Sequence, residues 1–149
     1  MDYKSKIEED LKGSLKQRNA VRVSVLRMLL AAIKNKEVEK IRALSDDEFY
    51  SLVRTSINQH LDSIEGFKKG QRLDLAEKEE KELQILKEFL PVQLTEEEAA
   101  REIETAIQAV EAKSQKEMGK VIKLLMEKFP GRVDGKVLSK MVLTRLSSQ

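Results

Sequence analysis

The chain has 149 residues, 40% hydrophobic, 36% charged and 4% aromatic, with six Gly and two Pro. Such a length buries one core or two small ones, and the composition suits a soluble helical protein rather than a sheet or a disordered chain. Zero Cys excludes disulfides and thiol nucleophiles, and with a single His it removes most zinc-site chemistry, so neither a metal nor a cofactor is expected.

The first segment, "MDYKSKIEEDL", is charged from its second residue and shows no signal-peptide pattern. With no apolar run long enough to span a bilayer, a cytoplasmic location and no membrane partner are expected. In chain order, Ser5 with Glu8 forms a capping-box pattern ahead of Ile7, Leu11 and Leu15 at helical spacing. Asn19 caps a second helix carrying Val21, Val25, Met28, Leu29, Ala32 and Ile33. A second box, Ser45 with Glu48, opens a helix with Phe49, Leu52, Val53, Ile57, Leu61 and Ile64, and Leu44 and Phe49 stand where a hydrophobic staple places them. Asp74 with Glu77 starts a fourth helix through Leu83, Leu86 and Leu90.

At "FLPVQLTEEE", Pro91 stops that helix and Thr95 with Glu98 begins another, through Ala99, Ile103, Ile107 and Val110. Ser114 with Glu117 precedes a sixth stripe of Met118, Val121, Ile122, Leu125 and Phe129. Asp134 caps the last, with Leu138, Met141, Val142 and Leu146, and Val133 and Leu138 as its staple. No strand alternation is visible. The expected fold is therefore all-α: an N-terminal four-helix domain over 1–91 and a smaller three-helix domain over 92–149.

Chemistry is harder to find. His60, in "INQHLDS", reads as a half-exposed helical histidine rather than a general base. The run "EKEEKE" reads as a solvated face in which Lys pairs with Glu at i,i+3 or i,i+4, not as metal ligands. Neither "GQRLDL" nor "GRVDGK" has phosphate-loop spacing. No catalytic residue is assigned, and an active site of the chain's own is not expected.

Recognition remains, and charge segregation points to it. Residues 12 to 42 hold nine basic and two acidic side chains, a balance of +7; residues 113 to 149 hold nine and three, a balance of +6. Lys116, Lys120 and Lys123 fall at i, i+4 and i+7 on the sixth helix, Lys136 and Lys140 at i and i+4 on the seventh, and Arg132 in the turn between them. These six are the candidate anion-binding residues, with Arg18, Arg22 and Arg27 as a secondary basic patch. The alternative is that both runs are solvated helix faces. The turn "FPGRVDG" reads as structural, since Gly131 suits a left-handed helix end and Asp134 as N-cap uses donors that a phosphate would need. Few aromatics are available for stacking on bases, which favours backbone and shape recognition of a folded nucleic acid.

Three stretches, "RVSVLRMLLAAIKNKEVEK", "GQRLDLAEKEEKELQILKEFLPVQLTEEE" and "EMGKVIKLLMEKFPGRVDGKVLSKMV", resemble the YqeY family, including the Leu-Pro-x-Gln-Leu junction at Leu90 to Leu94 and the Gly-Arg-x-Asp-Gly turn at Gly131 to Gly135. Members of that family are similar to the C-terminal tail of GatB, a subunit of the tRNA-dependent amidotransferases. One departure stands at "NQHLDS", where family members often show a basic Gln-Arg after a Lys. The resemblance implies two helical domains divided at the junction and a role near tRNA, with a possible amidotransferase or other translation-related protein partner. Three functions follow as expectations: a tRNA-binding or tRNA-associated accessory module; a carbon-nitrogen ligase with glutamine as amido-N-donor, only together with partner subunits; or a helical protein-interaction module.

Overall fold

In the computed structural model, which describes residues 2–148, all regular structure among those residues is helical. Helix α1 (Tyr3–Lys16) begins one turn earlier than the Ser5 box suggests: Asp2 is its N-cap, accepting from the Ser5 amide at 3.1 Å and from the Ser5 hydroxyl at 2.8 Å. An Asp caps as well as a Ser, and capping upstream adds a helical turn, so Asp2 takes the role. Asn19 caps α2 (Ala20–Lys40) through the Arg22 amide, and Ser45 and Glu48 complete a reciprocal box at the start of α3 (Asp46–Lys69).

Helix α4 (Leu73–Lys87) starts without a side-chain cap; Asp74 lies within its first turn and pairs with Arg72 instead. Beyond Pro91, Thr95 and Glu98 form the second reciprocal box, at α5 (Glu96–Val110). A 3-10 turn (Gln115–Glu117) then leads into α6 (Met118–Lys128), and Asp134 caps α7 (Gly135–Ser147) by accepting from the Lys136 amide at 3.0 Å. The Ser114 box is not made, because the Glu117 carboxylate accepts from the Lys113 amide.

The chain groups into two compact units, Met1–Leu90 and Pro91–Gln149. The first holds α1–α4 around a core in which Ile7, Leu26, Leu29, Ile33, Phe49, Val53 and Leu86 are fully buried. Tyr3 stacks on Phe49 with ring centroids 4.1 Å apart and donates its hydroxyl to the Leu44 carbonyl at 2.6 Å. This fastens the start of α1 to the connection between α2 and α3. The second unit holds α5–α7 around Ile103, Val121, Leu125, Leu138, Val142 and Leu146. Leu15, Met28 and Leu61, expected on apolar stripes, are 41–47% exposed.

Helix α2 ends on Ile41, a β-branched residue at φ 57° whose side chain is exposed. A left-handed Cβ is strained, and a C-cap of this kind favours Gly. Ile41→Gly is expected to stabilise the first unit by about 1 kcal/mol, the relief of strain outweighing the added freedom of the unfolded chain. Urea unfolding followed by tyrosine fluorescence checks this; an unchanged or lower midpoint contradicts it.

Candidate nucleic-acid interface

The turn between α6 and α7 is held by the chain on both sides. Phe129 closes α6 by donating its amide to Leu125 at 2.9 Å, and Gly131, at φ 73°, takes the conformation that an L side chain resists. The buried Gly131 carbonyl accepts from Gln93 Nε2 at 2.7 Å, and the same nitrogen reaches the Pro91 carbonyl at 2.7 Å. The Leu94 amide donates to the Arg132 carbonyl at 3.0 Å, and Arg132 Nε returns a bond to the Val92 carbonyl at 2.9 Å. Residues 92–94 and 131–132 are thus laced into one corner, and this explains why the Pro-x-Gln-Leu and Gly-Arg-x-Asp-Gly stretches occur together.

Arg132 serves that corner first. Its Nε is committed to Val92 and its guanidinium lies 5.7 Å from the Phe129 ring centre, so only its terminal nitrogens remain for an outside anion. Beside it is a cleft of about 410 Å³, lined among others by Leu94, Thr95, Arg132, Asp134 and Val137. Asp134 puts a carboxylate at the start of α7, where a phosphate would otherwise meet bare amides.

The lysines around the corner behave differently. Lys116, Lys120, Lys123, Lys136 and Lys140 are all exposed, and among the described residues none of their side chains has a hydrogen bond or an ion pair. Two other cations of this unit are paired, Lys128 with Glu102 at 3.1 Å and Arg145 in a two-point pair with Glu104, while the exposed Lys113 and Arg101 make no ion pair among the described residues. Lys116 lies in the 3-10 turn rather than on α6, which breaks the i, i+4, i+7 row expected from its spacing. Lys120 and Lys123 remain together on α6, and Lys136 and Lys140 on α7.

In the first unit, Arg22 is spent internally. It forms a two-point pair with Asp10 at 2.7 and 2.5 Å and reaches Glu88 at 2.9 Å, which holds the Asp10 carboxyl below the usual carboxylate range. Arg18 and Arg27 stay exposed. The secondary patch therefore offers two free guanidinium groups rather than three.

The sequence reading of His60 as half-exposed is corrected by the structure, and that of "EKEEKE" only in part: Glu77 and Lys81 form the expected i,i+4 pair in solvent, while Glu79 and Glu82 turn inward. His60 is 7% exposed, with Nδ1 2.8 Å from the Ser56 carbonyl and Nε2 3.0 Å from Glu82 and 3.5 Å from Glu79. Its neighbours are a carbonyl and two carboxylates, whereas a nucleophile–base pair would set it against a hydroxyl.

Replacing Asp134 with Ala is expected to destabilise the second unit by about 0.5–2 kcal/mol through the lost N-cap. The same change removes a carboxylate from the cleft beside Arg132, so polyanion binding is expected to hold or strengthen. Thermal unfolding and tRNA titration of the variant check both signs; an unshifted melting temperature would show that the cap contributes nothing.

A family model described as Yqey-like protein matches residues 4–146. The chain belongs to the YqeY family. Curated relatives include the Altered inheritance of mitochondria protein 41, mitochondrial, of Kluyveromyces lactis, 32% identical over 136 residues that make up 89% of this chain and 69% of that protein. The protein of the same name in Lachancea thermotolerans is 36% identical over 91 residues, 60% of this chain and 49% of its own length. The matches therefore span about half to two thirds of these relatives' length. Among the described residues, no helix of this YqeY-family chain is long and apolar enough to cross a membrane.

Proposed function

We propose that this YqeY-family chain is a tRNA-binding or tRNA-associated accessory module without an active site of its own, made of two separately folding units divided at the Leu-Pro junction and working in the cytoplasm. The relatives named mitochondrial keep their own compartment in this reading. One observation carries it: the five exposed lysines gathered around one corner of the second unit have no acidic partner among the described residues, whereas Lys128 and Arg145 of the same unit do. Leaving cations unpaired forgoes the small gain of a surface pair and keeps them for counterion exchange with a polyanion. The likeness to the GatB tail, drawn from the stretches quoted above, supplies the choice of tRNA. An amidotransferase or other translation-related protein is the partner to which such a module would deliver tRNA, and glutamine-dependent carbon–nitrogen ligation would belong to that partner.

Competition tests the reading. Purified protein bound to labelled total tRNA should release it to unlabelled tRNA at much lower concentration than to single-stranded poly(U). Base stacking needs aromatic platforms that a chain with 4% aromatics does not supply. Equal competition would reduce the proposal to general polyanion binding, and no binding would leave a protein-interaction module.

A further inference from the structure

The environment of His60 is a convergence of acceptors. Nδ1 lies 2.8 Å from the Ser56 carbonyl, which has no hydrogen to give, so Nδ1 carries one. In the neutral ring Nε2 then presents a lone pair, and what it faces is Glu82 Oε2 at 3.0 Å and Glu79 Oε2 at 3.5 Å. The imidazole is nine-tenths buried, and the Glu82 and Glu79 side chains are 12% and 23% exposed. Of the nearby cations, Lys81 pairs with Glu77 and Lys68 of α3 with Glu80, while Lys78 is exposed and makes no ion pair with either Glu79 or Glu82 among the described residues. Nε2 and the two carboxylate oxygens thus converge on one spot in a low-dielectric place, an arrangement that a bound cation satisfies.

We propose that His60 Nε2, Glu79 and Glu82 form a binding site for a divalent transition metal of the zinc class, joining α3 to α4. The three ligand atoms lie within 4.8 Å of one another. A tetrahedral ion with bonds of about 2.0–2.2 Å to nitrogen and oxygen sets its ligands roughly 3.3–3.5 Å apart. The His60–Glu82 and His60–Glu79 separations of 3.0 and 3.5 Å bracket that edge. Glu79, the more exposed of the two carboxylates, closes the remaining edge by a small side-chain rotation. The imidazole selects zinc, cobalt or iron over calcium and magnesium, which prefer oxygen alone. Two carboxylates balance a divalent charge. The bond from Nδ1–H to a backbone carbonyl is the support that metal-ligating histidines characteristically have, since it fixes both tautomer and ring direction.

The test uses the full chain stripped with chelator and titrated with Co2+ as the spectroscopic probe, then with Zn2+ as competitor. One Co2+ per chain, with visible bands of low coordination number that Zn2+ abolishes, is the expected result. Glu79→Gln and Glu82→Gln should each weaken binding by about tenfold or more, while Glu77→Gln, on an exposed side chain paired with Lys81, should leave it unchanged. His60→Gln removes the nitrogen ligand, with circular dichroism confirming that the helices persist. Absence of stoichiometric binding by the parent overturns the proposal. Equal affinity in the Glu79→Gln and Glu82→Gln variants overturns it too, since the metal would then bind elsewhere.

Discussion

Replacing Lys120, Lys123, Lys136 and Lys140 together with Ala is expected to weaken tRNA binding on the order of 100-fold or more near physiological salt, if each lysine makes one phosphate contact. The magnitude follows from counterion release: each contact steepens the log–log salt dependence by about 0.7–0.9, and four of them, extrapolated from molar salt to about 0.15 M, amount to more than two decades. Among the described residues the four exposed side chains make no hydrogen bond or ion pair, so none is lost with them. Ala is also the better helix former, and the helical circular dichroism of the variant should match the parent's. The Asp134 cap on the Lys136 amide is a backbone bond and survives the substitution. Parent-like affinity in this variant would make the lysines a solvated face, and the protein-interaction reading would replace the tRNA reading.

Phe49→Ala is expected to cost the first unit about 3–5 kcal/mol, the usual range for emptying a buried aromatic site. Phe49 is 1% exposed, with the Tyr3 ring stacked on it at 4.1 Å and the Tyr50 ring tilted at 5.8 Å, and Tyr3 in turn holds the Leu44 carbonyl by its hydroxyl. Removing it leaves Tyr3 without its stacking partner, so that the Tyr3 hydroxyl bond to Leu44, the Lys4–Glu37 pair and buried Ile7 hold the start of α1. Such a loss is a large share of the roughly 5–15 kcal/mol that a domain has. The chain contains two tyrosines, Tyr3 and Tyr50, and no tryptophan, so tyrosine fluorescence reports on the first unit alone. A denaturant midpoint that falls by less than the equivalent of about 1 kcal/mol would show that the neighbouring side chains refill the cavity.

The helical class was legible because periodicity and caps agreed along most of the chain. The boxes at Ser45 and Thr95 formed as their spacing implied. Those at Ser5 and Ser114 did not, because a competing partner stood close by: Asp2 upstream of Ser5, and the Lys113 amide within reach of Glu117. A box pattern states what can bond, and neighbouring donors and acceptors decide what does.

His60 was misjudged for a different reason, its adjacency to Leu61. The buried stripe of α3 runs through Ile57, His60 and Ile64, at three and four residues' spacing, and passes by Leu61, which is 46% exposed. On α4, Ala76, Glu79, Leu83 and Leu86 follow the same rule, which turns Glu79 inward and brings Glu82 beside it. That signal was present in the spacing, masked by residue type. The loss of Arg22 to Asp10 and Glu88 had no local signature, since its partners lie 12 and 66 residues away. The lysine rows on α6 and α7 were readable as exposed cations, but whether acids would neutralise them depended on the packing of three helices, which spacing along one helix does not encode.

The most direct test of the tRNA reading is the salt dependence of tRNA binding by the parent protein, measured from about 0.05 to 0.3 M monovalent salt. Engagement of most of the five lysines around the corner predicts a straight line of log affinity against log salt with a slope of about −3 to −4.5. A slope near zero, or no saturable binding at the lowest salt, would contradict it: the cations left unpaired in the second unit would then serve solvation, and the interface assigned to them would not exist.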